Sequence, residues 1–266
     1  MTVQVSGQPV PALAPLMRGL VYGDGVFRTL RVRQGRVVAV ADQWALLQAD
    51  AHRLGIDIDP LEQWLADSAP LLETAPPLAA LRWIAVRANE GRGYRPVSAA
   101  SVRVVDLSAV VPPAAEPLRI FISPQPAVEQ PGFGGIKHLN RLPQVLASHG
   151  WPDGMDETVL CDADGHLVSG SRSTLFWVEG GRLFTPVVAA SGVQGFVRRW
   201  VLRTALEHGL EVAEVRVDPV ALTTASEVLL GNSVMGLQAV GSVDECRFEA
   251  PGPVARMLMP AFEEIT

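Results

Sequence analysis

Among the 22 basic side chains of this 266-residue chain, 21 are arginine and one, Lys137, is lysine. Arginine serves wherever a fixed cation is wanted, but it does not deprotonate in a protein and cannot act as a nucleophile. A lysine amine can lose its proton, attack a carbonyl and form an imine. GC-rich coding also depletes lysine, so the count alone does not separate chance from use. The setting adds to it. Lys137 follows the glycine-rich stretch Gly132-Phe133-Gly134-Gly135 and precedes Leu139, Leu142, Val145 and Leu146. That spacing predicts a helix over about 139–149, with Lys137 at a loop-to-helix junction. Three further stretches are rich in small residues and backbone donors: Ser169 to Ser173, Gly192 to Val197, and Gly231 to Ser233. Each reads as an ordinary turn when taken alone. The second leads into an amphipathic run, and the amide groups at a helix start make an anion site.

Other chemistries lack their residues. There is no GxSxG elbow, HExxH pair or Walker sequence, and no Ser or Thr follows Lys137 as a P-loop requires. His52, His138, His149, His166 and His208 show no metal-ligand spacing, so no metal is expected. Cys161 and Cys246 form no CxxC pair and read as thiols in a reducing compartment. An imine-forming amine with an anion cradle suggests pyridoxal 5'-phosphate (PLP) as cofactor.

The elements that would position these groups fall into two blocks. The first has a short hairpin at 2–10, a strand from Phe27 to Val32, and a return strand from Arg36. Next come a helix capped by Asp42 and a second helix near 60–72. Strands at 81–86 and 101–107 close the block. The run Pro112-Pro113-Ala114-Ala115-Glu116-Pro117 cannot be helix or central strand. It separates an expected smaller N-terminal domain, 1–111, from a larger C-terminal domain, 118–266. The second block repeats the texture: hairpins near 157–168 and 174–185, a helix over 193–208, strands to Phe248 and a final helix from about Val254. Hairpins with helices set against them indicate an α+β protein rather than alternating βαβ units.

Composition bounds the partners. A formal charge of −6 and no local Lys/Arg run argue against nucleic acid. No 18-residue apolar run spans a membrane, and the first residues lack a basic start with a long apolar core. A cytoplasmic protein is expected.

Several motifs carry a resemblance. Tyr22-Gly23-Asp24-Gly25-Val26-Phe27, Gly91-Arg92-Gly93-Tyr94 and Gly135-Ile136-Lys137-His138-Leu139-Asn140-Arg141-Leu142 are the main ones. Leu175-Phe176-Trp177, Thr185-Pro186 and Gly192-Val193-Gln194-Gly195 support them. With these the chain resembles the fold-type IV PLP enzymes, collinearly over nearly its whole length, and within them the aminodeoxychorismate lyase branch. The resemblance implies a two-domain α+β fold like that of D-amino-acid aminotransferases, a homodimer, and PLP held through Lys137. It implies phosphate binding by the backbone at Phe196 and Val197 and by the Ser233 hydroxyl. Arg92, with Tyr22 and Asn140, would meet the substrate. The implied activity releases 4-aminobenzoate and pyruvate for folate synthesis. An aminotransferase for D- or branched-chain amino acids, or a cofactor-poor non-catalytic relative, are the alternatives. Three positions depart from the family pattern. Ser169 stands where a glutamate meets the pyridine nitrogen, Leu46 where an arginine meets the phosphate, and Thr174 where an asparagine is usual.

Overall fold

The computed structural model describes residues 2–5, 7–10, 18–88, 93–113 and 115–265, with backbone only for 2–5 and 8–10. It is a mixed α+β protein of two compact units. Of the described residues, the first comprises those within 1–112 together with 136–140, and the second those within 113–135 and 141–265.

In the first unit, strands β1 (Thr2–Val5), β2 (Gln8–Val10), β3 (Gly25–Arg33), β4 (Arg36–Val37), β5 (Leu78–Arg87) and β6 (Ser101–Ala109) form one sheet in the order β2-β1-β6-β5-β3-β4. All its pairings are antiparallel. Helices α1 (Arg18–Tyr22), α2 (Val40–Arg53) and α3 (Leu61–Leu72) complete the unit. The period-two pattern of β3 buries Val26, Leu30 and Val32. They join Leu47 and Ala51 of α2, Trp64 and Leu71 of α3, and Leu81, Trp83 and Ala85 of β5 in one core. Each valine or leucine among them contributes roughly 1.5–3 kcal/mol on burial. The two indoles lie 5.6 Å apart between ring centroids. Trp83 Nε1 donates to Ser68 Oγ at 3.0 Å and Trp64 Nε1 to Asp59 O at 3.2 Å, so no indole donor of this pair is wasted. Ile136, from the second stretch of this unit, is fully buried in the same core.

The second unit holds β7 (Leu118–Ile122), β8 (Glu157–Cys161), β9 (Leu167–Gly170), β10 (Thr174–Glu179), β11 (Arg182–Pro186), β12 (Val212–Val215), β13 (Glu227–Asn232), β14 (Gly236–Val243) and β15 (Cys246–Arg247). The sheet runs β12-β11-β10-β13-β14-β7-β8-β9, with β15 on β14. It is mixed: β11–β12, β14–β7 and β7–β8 are parallel. Helices α4 (Leu142–Ala147), α5 (Phe196–Glu207) and α6 (Pro253–Glu263) accompany it, with a short 3-10 turn at Pro219–Thr224. Ile120, Val159, Leu175, Trp177, Val228, Leu230 and Val240 form its core. Trp200 of α5 meets Phe262 of α6 edge-on at 5.0 Å. The Glu227 carboxylate heads α6, accepting from the amides of Val254 and Ala255 at 2.9 Å each.

Three sequence expectations are corrected. The helix after Lys137 is only Leu142–Ala147, with Pro143 in its first turn, where a missing N–H costs nothing. Leu142, Val145 and Leu146 are exposed, and Leu139 packs instead beside Gly19 and Gly25 of the first unit, so one apolar spacing serves two different structures. Lys137 therefore lies in an extended segment, not at a helix start. Helix α2 begins at Val40, behind Ala39 in the left-handed region (φ 51, ψ 42), which places Asp42 in the first turn and not at the cap. Ser169 and Gly170 belong to β9, so the loop is shorter than the small residues suggest.

Candidate functional site

The first unit carries Lys137. Residues 137–139 run antiparallel to the start of β3, on the side that β4 leaves open. Phe27 N–H donates to Lys137 O at 2.9 Å and Leu139 N–H to Gly25 O at 3.0 Å, while His138 faces Val26. The Lys137 N–H points the other way and donates to Asp50 Oδ2 at 2.9 Å. The backbone of the lysine is thus held on both edges. Its side chain is half-buried, with Nζ 4.5 Å from the centroid of the Phe27 ring. An amine against an aromatic face is shielded from water on that side.

Asn140 and Tyr22 belong to the same unit and meet through one turn. Asn140 Nδ2 donates to Gly23 O at 3.1 Å, and its side-chain amide fills the space that a Cβ of Gly23 would need. Gly23 has φ 65, so glycine is required there twice over. The Tyr22 ring lies 5.3 Å from that of Tyr94 and 5.0 Å from the Arg18 guanidinium. Arg92 lies outside the described residues. The residues just after it are tied down: Arg18 donates to the carbonyls of Gly93 and Tyr94 at 2.9 Å each. Arg18 and Arg87, both buried, share the Asp24 carboxylate at 2.8 and 3.0 Å. Nothing in the spacing of Arg18, Asp24 and Arg87 announced this network; the Tyr-Gly-Asp-Gly turn was its only trace.

The second unit carries the small-residue loops. Gly195 precedes α5, and the N–H groups of Phe196 and Val197 head that helix with no acceptor among the described residues. Gly192 and Gln194 fix the approach: Gly135 N–H donates to Gly192 O at 3.3 Å and Gln194 N–H to Gly135 O at 2.9 Å. Gly231 of β13 lies against this helix start, since a Cβ there would fall 2.8 Å from Val197 Cγ1. Ser233 follows two residues on, half-buried in the turn that Asn232 organises by accepting from the amides of Val234 and Met235. Donors at a helix terminus, backed by a strand without side-chain bulk, suit a phosphate. Ser169 is half-buried in β9, opposite Leu160, and its hydroxyl donates to Gly170 O at 2.8 Å. The loop beyond it hangs on buried Glu157, which accepts from the Ser171 amide at 3.1 Å, from the Ser171 hydroxyl, and from Arg172 Nε at 3.0 Å. A small pocket lined by Glu157, Ser173, Gly231 and Asn232 brings that loop beside the third one.

Leu46, where the family pattern has an arginine, is buried in α2 and can serve no anion; its carbonyl accepts from Arg28 at 3.2 Å. Asp162, Asp164 and His166 are the one group of possible metal ligands among the described residues. Arg216 bridges both carboxylates, at 2.8 and 2.6 Å, and supplies their counter-charge. Burial alone would raise the Asp162 carboxyl, but hydrogen bonds from His166 and Arg216 outweigh it and hold the carboxyl below its ordinary range.

Taken unit by unit, the chemistry of the residues present fits PLP: the first unit offers a held primary amine, and the second a pair of helix-terminal amides with Gly231 packed against them.

Comparison with known proteins gives four findings. The amino-transferase class IV family profile matches residues 25–243. An aminodeoxychorismate lyase of Vibrio harveyi is 27% identical over 267 residues, covering 95% of each chain. Among solved structures, the chain is similar to 4-amino-4-deoxychorismate lyase from Pseudomonas aeruginosa, with 32% identity, a TM-score of 0.88 and 97% of both chains covered. It shares its fold with the branched-chain amino acid aminotransferase of Escherichia coli (21% identity, TM-score 0.84, 98% of this chain and 93% of that one).

Proposed function

We propose, from the premise that this chain belongs to the amino-transferase class IV family, that it is a PLP-dependent 4-amino-4-deoxychorismate lyase releasing 4-aminobenzoate and pyruvate. The observation that carries the reading is Lys137: the sole lysine, pinned at its N–H by Asp50 and at its carbonyl by Phe27, with its amine over an aromatic face. The 32% identity to the Pseudomonas aeruginosa lyase, over 97% of both chains, supports the choice within the family.

Bound PLP supplies an electron sink. The Phe196 and Val197 amides and the Ser233 hydroxyl would hold its phosphate, and Ser169 would meet its ring nitrogen. Lys137 would hold it covalently and then move protons at the substrate carbon as acid and base. Arg92 would grip a substrate carboxylate, and Tyr22 and Asn140 would meet the substrate. Ser169 can hydrogen-bond but adds no negative charge, so the sink is weaker than with a carboxylate. Elimination of pyruvate creates an aromatic ring and has its own driving force. A transaminase lacks that help, so serine at this position favours the lyase. The working form would be a cytoplasmic homodimer in the folate route.

The test is incubation of the purified protein and PLP with aminodeoxychorismate, following 4-aminobenzoate by fluorescence after separation. A visible absorbance band that disappears in Lys137→Ala, together with product formation, is expected. A protein that carries PLP on Lys137 but makes no 4-aminobenzoate overturns the reading. Keto-acid-dependent amino transfer would then favour the second reading, an aminotransferase, which the shared fold with the Escherichia coli enzyme supports. Absence of any PLP uptake would favour a cofactor-poor relative, for which Leu46 and Ser169 are the motive.

A further inference from the structure

Asp50 occupies a position that helix physics does not favour. It sits in the last turn of α2, where the helix dipole repels a carboxylate, and it is buried. Two groups meet the charge. Arg28 of β3, itself almost fully buried, forms an ion pair with Oδ2, and the same oxygen accepts the Lys137 N–H at 2.9 Å. The pairing of 137–139 with β3 consumes the Lys137 carbonyl and the Leu139 amide, and it turns the Lys137 amide away from the strand. A side chain that reaches over the edge of the sheet, that of Asp50, takes this donor. Arg28 also donates to Leu46 O, one helical turn before Asp50, so the guanidinium ties the carboxylate to its own helix.

We infer that Asp50, oriented by Arg28, is a positioning residue that fixes the backbone of Lys137 and so aims its amine. The inference rests on the reading of Lys137 as the cofactor lysine only for its effect on activity; the geometric claim stands without it. A buried pair whose sole task was stability could be replaced by apolar groups with little loss. The hydrogen bond to Lys137 gives this pair a second task.

Because the chain has one lysine, two readouts isolate it once the signal of the N-terminal amine, which the same reagents modify, is assigned separately. The first is the rate at which PLP with borohydride fixes mass on Lys137, located by peptide mass spectrometry. The second is the carbon-13 methyl resonance of Lys137 after reductive methylation of the cofactor-free protein. Asp50→Ala is expected to slow labelling about tenfold or more, the cost of one hydrogen bond to a charged acceptor. It should also move the methyl resonance towards that of an exposed lysine. Asp50→Asn keeps an oxygen for the Lys137 N–H but not the ion pair, and should recover most of the rate and the native resonance. Should Asp50→Ala not fold, Arg28→Met with Asp50→Ala removes both charges and should show the same slowing. A native rate and resonance in either Ala variant, or an Asn variant no better than Ala, overturns the inference. If the native protein is not labelled at all, the cofactor reading fails instead, and the methyl resonance still decides on Asp50.

Discussion

Replacing Gly231 with alanine should weaken PLP binding about ten- to a hundredfold, through a contact that touches no proposed donor atom. The added Cβ falls 2.6 Å from Leu237 Cδ2 and 2.8 Å from Val197 Cγ1. Leu237 can swing its terminal methyl aside. Val197 cannot, because a β-branched side chain in a helix is held in essentially one χ1 well. The first turn of α5 must then retreat by about 0.6 Å to restore ordinary contact. Overpacking of this size costs about 1–3 kcal/mol of stability. The same retreat lengthens the hydrogen bonds that the Phe196 and Val197 amides would make to the phosphate. Losing the equivalent of one charge-assisted bond is about 1.5–3 kcal/mol, hence the stated range. Equilibrium titration with PLP, followed by tryptophan fluorescence, measures it beside a thermal melt of the cofactor-free protein. Val197→Ala in the same chain removes the clashing methyl and keeps the backbone donor. The double variant should regain PLP affinity while losing further stability. Native PLP affinity in Gly231→Ala, with the melt lowered as expected, would show that the start of α5 is not the anion cradle.

Two further outcomes are expected. Glu227→Gln leaves the Val254 and Ala255 amides facing one carbonyl oxygen instead of a buried carboxylate, so urea unfolding should show a loss of about 2–4 kcal/mol; a change under about 0.5 kcal/mol would refute the helix-capping account. Burial, with added repulsion from Asp162 and Asp218, pushes the Cys161 thiol from 9.0 up to about 11. The folded state therefore holds its proton more tightly than the unfolded one. That stabilisation is complete below pH 9 and is lost as the pH rises towards 11. Unfolding curves between pH 8 and 11 should show a decline that Cys161→Ala reduces, and identical slopes in both proteins would contradict it.

What the sequence disclosed follows from how local each signal is. The alternation in β3 and β5 and the glycine-marked hairpins identified strands, because side-chain direction and turn geometry are set within a few residues. The lone lysine and the glycines before α5 were equally visible, as they are matters of residue type. The helix expected from Leu139 was not one, since Leu139 takes its place beside Gly19 and Gly25, over a hundred positions away in the chain. Asp50 and Arg28 carry no local mark in the sequence, one lying in an amphipathic helix and the other in an alternating strand. Their pairing, and the amide they serve, exist only once α2 lies on β3. Arg18, which secures the loop after Arg92, was hidden for the same reason.

The five residues 136–140 complete a unit whose other strands lie within the first 112 positions. During synthesis the N-terminal part leaves the ribosome with the first residues of β3 unpaired along one side and without Ile136 in its interior. Its sheet edge and interior stay incomplete until position 140 has emerged, so the usual order, in which an early domain folds while a later one is still being made, does not apply cleanly. A gene fragment ending at Pro112 would likewise specify an unfinished sheet, and recombination between relatives that exchanged this block as a single cassette would leave the lysine segment behind.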